Sequence, residues 1–180
     1  MILNHLKIDF ENVEIEKADW GTMKASNKAG ELGFLPMVSM KGKDYQCTGP
    51  ILRQIGANHD LYNLKNAAEM YRADSACDVF FDVFGAVAKI NFAPNPDAQK
   101  AALESLMGTV LPNTFKFLEN RFTKLNCAYV SGSDKLCYAD FTWASFMCTI
   151  AQNTNFPFSA GILQQMEMYP KTKEYLKRME

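Results

Sequence analysis

A change of hydrophobic rhythm near residues 57–63 constrains this chain more than any other feature of it. Before the change, Val13-Glu14-Ile15-Glu16 alternates apolar and charged residues, which suits a short half-buried strand. Leu35 to Met40 is the next apolar strand candidate. Lys41-Gly42-Lys43-Asp44 then makes a polar turn, so a hairpin is expected to return through Tyr45-Gln46-Cys47. Ala18 to Lys28 can hold a helical turn, and the stretch from Asn27 to Gly33 is turn-rich. Pro50 sits where a first helical turn tolerates it and opens a helical stretch to Ile55. After the change, the chain reads as helical. Leu64 to Ile90 carries Met70, Ala73, Cys77, Phe80, Phe81 and Phe84 at three-four spacing, the apolar stripe of a packed helix. Asn91-Phe92-Ala93-Pro94-Asn95-Pro96 interrupts it, and Asp97 is expected to cap the next helix, from Ala98 to Lys124, with a kink at Pro112. Further helices are expected from Tyr138, from Ser159 and over Lys171 to Met179. The pattern predicts a small mixed α/β unit over 1–57, a linker over 58–63 and an all-α unit over 64–180.

Bulk properties exclude several function classes. The 180 residues can bury a core without covalent staples. A net charge of −1 offers no basic face for nucleic acid or for an anionic membrane. No apolar stretch approaches the ~20 residues a membrane span needs. The five cysteines (Cys47, Cys77, Cys127, Cys137 and Cys148) are odd in number and lack metal-like spacing, which suits reduced thiols in a cytosol-like compartment. Met1-Ile2-Leu3-Asn4-His5 does not read as a secretory leader. His5 and His59 have no spacing to other ligands that would hold a metal. The composition points to a soluble, cytoplasmic protein.

Three motifs narrow this further. Asp19-Trp20 is followed by Lys24, then by Leu35-Pro36-Met37-Val38, then by Cys47-Thr48-Gly49-Pro50-Ile51-Leu52-Arg53. In order and spacing they resemble the glutathione-binding half of a cytosolic glutathione transferase, sigma class above all, the class of the glutathione-dependent prostaglandin D synthases. The second half agrees. Leu111-Pro112 with Phe115-Lys116-Phe117-Leu118-Glu119 is similar to the family's kinked helix. Ser133-Asp134-Lys135-Leu136-Cys137-Tyr138-Ala139-Asp140 is similar to its Gly-Asp-x-x-(Ser/Thr)-x-Ala-Asp signature. The resemblance implies a thioredoxin-like glutathione-binding domain, a linker and an α-helical C-terminal domain. It also implies that the family's first strand, with its catalytic Tyr, has no counterpart in this sequence.

The resemblance assigns roles residue by residue. Pro36 would be the cis proline that exposes the main chain of Leu35 to the cysteinyl part of glutathione; without the resemblance, a trans proline at a strand start is the ordinary reading. Cys47 and Thr48 align with a Gln-Ser pair at a helix start, where a hydroxyl and free N–H groups hold the γ-glutamyl carboxylate. Thr48 keeps the hydroxyl, Cys47 lacks the amide, and the alternative is that Thr48 only caps its helix. Trp20 and Lys24 would meet the glycine carboxylate, or else form a surface contact of one helix. Asp74 would reach the glutathione amine of a partner subunit, which implies a homodimer; the alternative is a solvated carboxylate. Asp140 would serve its own helix start, which Cys137, standing where the family has Ser or Thr, is expected to leave looser. A glutathione thiol needs a donor to ionise at neutral pH, since free thiols titrate near ~8.5, and no residue here aligns with the family's Tyr. Two functions therefore stand side by side. One is conjugation of glutathione to a small electrophile, or prostaglandin-type isomerisation. The other is a non-catalytic structural or assembly subunit of a larger complex, its sheet open to a partner strand.

Overall fold

The computed structural model describes residues 1–26 and 28–180. The chain divides into two compact units, Met1–Leu61 and Tyr62–Glu180.

In the first unit, a short helix α1 (Ile2–His5) precedes an irregular stretch, and α2 (Lys17–Ala25) follows. Strands β1 (Met37–Met40) and β2 (Lys43–Gln46) pair antiparallel, with Met40 opposite Lys43 and Met37 opposite Gln46. That register leaves a two-residue turn, and both of its residues have positive φ, Lys41 at 51° and Gly42 at 72°. This is the turn whose twist matches paired strands. Helix α3 (Thr48–Asn58) closes the unit and buries Ile51 and Ile55. The strand expected at Val13–Glu16 does not form: the segment has no regular structure, and Val13 is 67% exposed. Among the described residues the sheet has two strands, and four alternating residues cannot hold a strand conformation without a neighbour to pair with.

In the second unit, α4 (Ala67–Asn91) starts at Asn66, whose side-chain oxygen accepts the N–H groups of Ala68 and Glu69, while its amide donates to Glu69 at 2.7 Å. Both ends of the cap are thus satisfied reciprocally. The buried face runs through Ala73, Ala76, Cys77, Phe80, Val83, Val87 and Ile90. Phe84, expected on that face, is instead 52% exposed, because the stripe passes through Val83 one residue earlier.

The second helical stretch runs unbroken from Pro96 to Leu125, with its irregularity ahead of Pro112. It comprises α5 (Pro96–Ser105), a wide π-helical turn over Leu106–Val110, and α6 (Leu111–Leu125). The irregular turn lies before Pro112, which occupies the first turn of α6 where a missing N–H is tolerated. The cap of α5 is Asn95 and not Asp97: the Asn95 side chain accepts the Ala98 N–H at 2.9 Å, Pro96 takes the first helical position, and Asp97 lies in the first turn. Asn95→Ala is expected to cost about 1 kcal/mol, read as a shift in denaturant midpoint that Asp97→Ala does not reproduce in full. Helix α7 (Asp140–Phe146) runs into a second π-helical turn over Met147–Ala151, followed by α8 (Ser159–Met166) and α9 (Pro170–Arg178). The core centres on Trp143, which packs edge-on against Phe80 at 6.0 Å and Phe146 at 5.8 Å between ring centroids. Phe115, Leu106, Leu111, Leu118, Ile162 and Leu176 are likewise without exposure. All five cysteines carry free thiols. Among the described residues no helix is long and apolar enough to cross a membrane.

Candidate functional site

The motif residues of the first unit lie on three elements. On α2, Trp20 and Lys24 are one turn apart, so they share a face. The Lys24 ammonium stands 5.8 Å from the centre of the half-buried Trp20 ring, within reach of a cation–π attraction, while the Lys24 side chain is exposed. The structure brings this pair together as a surface contact with an outward cation.

The Leu35-Pro36 bond is cis. Leu35 is 44% exposed, and its main chain makes no hydrogen bond among the described residues. An exposed, unpaired main chain at the head of a strand can pair with an extended ligand.

At the start of α3 the geometry separates two uses of Thr48. The capping position is held by Cys47, whose side chain makes no cap hydrogen bond, and Thr48 is the first helical residue. The Thr48 hydroxyl and the N–H groups of Thr48 and Gly49 have no partner among the described residues, whereas Ile51 N–H returns to the Cys47 carbonyl at 3.0 Å. Gly49 is buried, so an unpaired N–H there is costly unless something outside the chain accepts it. Cys47 leads into this helix at φ 68° and ψ 126°, a region that side chains rarely occupy. The combination, free donors at a helix start behind a strained residue, suits a carboxylate or another anion.

Gln46 is not among the motif residues, yet its side chain makes three hydrogen bonds within this unit. It is buried, its Nε2 donates to the carbonyls of Ala29 (2.9 Å) and Phe34 (2.8 Å), and its Oε1 accepts the Leu32 N–H (2.7 Å). The signal in the sequence is slight: a polar residue ending an alternating strand, which reads as a solvent-facing position.

Two acids belong to the second unit. Asp74, on α4, is half-buried; its Oδ2 accepts the Tyr62 hydroxyl at 2.8 Å and its Oδ1 the Tyr138 hydroxyl at 2.5 Å. The two tyrosines also meet edge to face at 5.1 Å. Asp74 is therefore oriented by phenols of its own chain, and the exposed acids of α4 are Asp78 and Asp82, one and two turns on. Asp140 is fully buried. Its Oδ2 accepts the Cys137 N–H at 2.8 Å, and its Oδ1 accepts the Val130 N–H at 3.1 Å and the Tyr175 hydroxyl at 2.8 Å. The helix start is tied from three sides rather than loosened by Cys137. Burial raises the pKa of Asp140 against the pull of these donors, and burial beside Asp140 pushes the Cys137 thiol and the Tyr175 phenol well up. Among the described residues no cluster of three metal-binding side chains occurs.

Comparison with known proteins adds four findings. The family model for the C-terminal domain of glutathione S-transferases matches residues 81–180. The chain is 25% identical over 173 residues to the hematopoietic prostaglandin D synthase of Mus musculus, covering 94% of this chain and 77% of that protein. Among solved structures, the crystal structure of the glutathione S-transferase Blo t 8 superposes with a TM-score of 0.83 at 22% identity, covering 99% of this chain and 79% of that one. Prostaglandin synthase D of Nilaparvata lugens superposes with a TM-score of 0.70 at 23% identity, over 98% and 88% of the two chains.

Proposed function

Because the chain belongs to the glutathione S-transferase family, its matched C-terminal domain spanning residues 81–180, we propose that its first unit binds glutathione. The observation that carries this reading is the start of α3, where the Thr48 hydroxyl and two N–H groups lack any partner among the described residues. The γ-glutamyl carboxylate would be held there, beside Cys47. The Leu35 main chain, ahead of Pro36, would pair with the cysteinyl unit, and Lys24 beside Trp20 would neutralise the glycine carboxylate. Asp74, aimed by Tyr62 and Tyr138, would meet the glutathione amine of a second copy. The bound thiol would then attack a small electrophile. Free thiols throughout suit the cytosol-like compartment in which glutathione is abundant.

A second reading is favoured by a different observation. The sheet has two strands among the described residues, so both of its outer edges carry unpaired N–H and C=O groups. A strand from another protein could add there, making this chain a non-catalytic subunit of an assembly.

Calorimetric titration with glutathione and S-hexylglutathione separates the readings. Saturable binding is expected, weakened about tenfold by Lys24→Ala and by Thr48→Ala, the order of loss for one charge-assisted or anion-directed hydrogen bond. A folded protein that binds neither ligand would end the glutathione reading and leave the assembly reading standing.

A further inference from the structure

Residues 29–35 make no main-chain to main-chain hydrogen bond among the described residues. This is the segment that delivers Leu35 and the cis bond to Pro36. What fastens it is one side chain. A primary amide offers two N–H donors and a carbonyl acceptor, and Gln46 commits all of these groups to the segment: to the carbonyls of Ala29 and Phe34 and to the N–H of Leu32. The fit is close enough to require a glycine. At Gly30, φ is +70°, and a Cβ there would lie 2.6 Å from Gln46 Oε1 and 2.7 Å from its Cδ.

The position of Gln46 in the chain gives this hub a second consequence. It is the last residue of β2, paired across the ladder with Met37, and the next residue is Cys47, which leads into Thr48 and α3. One strand end therefore sets the helix start through the main chain and the Leu35 segment through a side chain. Resting on the glutathione reading above, we propose that Gln46 is a positioning residue that couples the carboxylate-binding helix start to the main chain pairing with the cysteinyl unit. The Leu35 N–H and C=O are located by bonds made one residue away, at the Phe34 carbonyl, and three residues away, at the Leu32 N–H. Without the amide, the segment would have to be ordered by the ligand at the moment of binding, and that ordering is subtracted from affinity.

The inference predicts a specific pattern of loss. Gln46→Leu keeps the size of the side chain and removes every polar contact. It should leave the Lys24 and Thr48 contacts in place and remove the pre-set geometry of Leu35. Calorimetry with glutathione and with γ-glutamylcysteine should then show equal weakening of both, by about tenfold, whereas Lys24→Ala weakens glutathione alone. Amide hydrogen exchange supplies the readout that needs no ligand: the Leu32 N–H should lose its protection in Gln46→Leu. Gly30→Ala reaches the same amide from the loop side and should repeat both effects if Gln46→Leu fails to fold. A Leu32 amide that stays protected in Gln46→Leu would show that the hub is not what fastens the loop. A freed Leu32 amide with both affinities within about twofold of the parent, a margin too small for a lost pre-ordering, would overturn the positioning role and spare the glutathione reading. A parent protein that binds neither ligand overturns both, and the exchange data then still report whether the hub exists.

Discussion

Asp140→Ala is expected to destabilise the helical unit by about 3–5 kcal/mol. The carboxylate has no exposure and receives three donors, the N–H groups of Val130 and Cys137 and the Tyr175 hydroxyl. Alanine would leave all three without an acceptor in a place water does not reach, and each orphaned group costs about 1–3 kcal/mol. Asp140→Asn keeps one acceptor oxygen and should fall between. The loss should also depend on pH. Burial raises the folded-state pKa of Asp140, so ionisation is easier in the unfolded chain. Its contribution is then complete below the unfolded value, about 3.9, and declines as pH rises through the folded value. Denaturant unfolding should therefore show a wider gap between parent and Asp140→Ala at pH 4 than at pH 7. A gap that widens with pH would contradict the sign of the shift. Cys137 and Tyr175 are raised as well, so they add no compensating gain at alkaline pH; stability should keep falling above about pH 8.5, the ordinary thiol value.

Gly132→Ala should be the second most damaging single change described, at about 2–4 kcal/mol. Gly132 sits at φ +79°, and a Cβ would come within 2.4 Å of Arg72 Nε and 2.8 Å of Leu125 Cδ1. Arg72 Nε donates to the Ser131 carbonyl at 2.7 Å. Arg121 Nη1 reaches the carbonyls of Arg72 and Val130, and its Nη2 reaches the Ser75 hydroxyl. Two guanidinium groups thus fasten the 130–133 loop to α4 and α6. Burial, then the neighbouring Arg72 charge, pushes the Arg121 pKa below its ordinary value. A methyl group at position 132 would displace Arg72 and loosen the loop that feeds Asp140 its Val130 N–H. The two contributions separate in a double-mutant cycle. In an Arg72→Ala background, Gly132→Ala should lose the Arg72 share of its cost and retain the backbone term of about 1 kcal/mol together with the Leu125 contact. An undiminished cost there would place the damage at Leu125 or in the main chain instead.

What the sequence discloses depends on how local the cause is. The hairpin is legible because Lys41-Gly42 and its flanking strands sit within a dozen residues, and α4 is legible because its apolar stripe repeats over seven turns' worth of chain. The failures follow the same logic. Alternation at Val13–Glu16 describes a face but supplies no partner strand. Phe84 draws attention by being aromatic, yet the smaller Val83 lies on the stripe. Asp97 is a good capping residue in the wrong place, and Pro96 at the first helical position already pointed one residue back, to Asn95. In the candidate site, Trp20, Lys24, Leu35, Pro36, Cys47 and Thr48 could be named because they fall in three short motifs. Gln46 could not, since its partners lie 12 to 17 residues away in a loop without regular structure. Nor could the pairing of Asp74 with Tyr138, 64 residues distant. Contacts between side chains that distant leave no periodic trace.

The wide turn at Leu106–Val110 bears on how this stretch of chain can be altered at all. Leu106 and Leu111 are both fully buried although five positions separate them. On a regular helix five residues would set them about 140° apart, on different flanks; here the Leu111 N–H bonds back to the Leu106 carbonyl and the extra residue is absorbed. Helical bookkeeping therefore restarts at Leu111. Counting three or four residues back from it reaches Gly108 or Met107, neither of which is fully buried, and a wheel drawn through the whole of 96–125 misplaces one end whichever end it is fitted to. Deleting one residue between 106 and 110 would therefore not turn the helix out of register. It would return the wide turn to regular α geometry, with the two leucines four positions and about 40° apart, so the face formed by Phe115, Leu118 and Phe122 would keep its direction relative to α5.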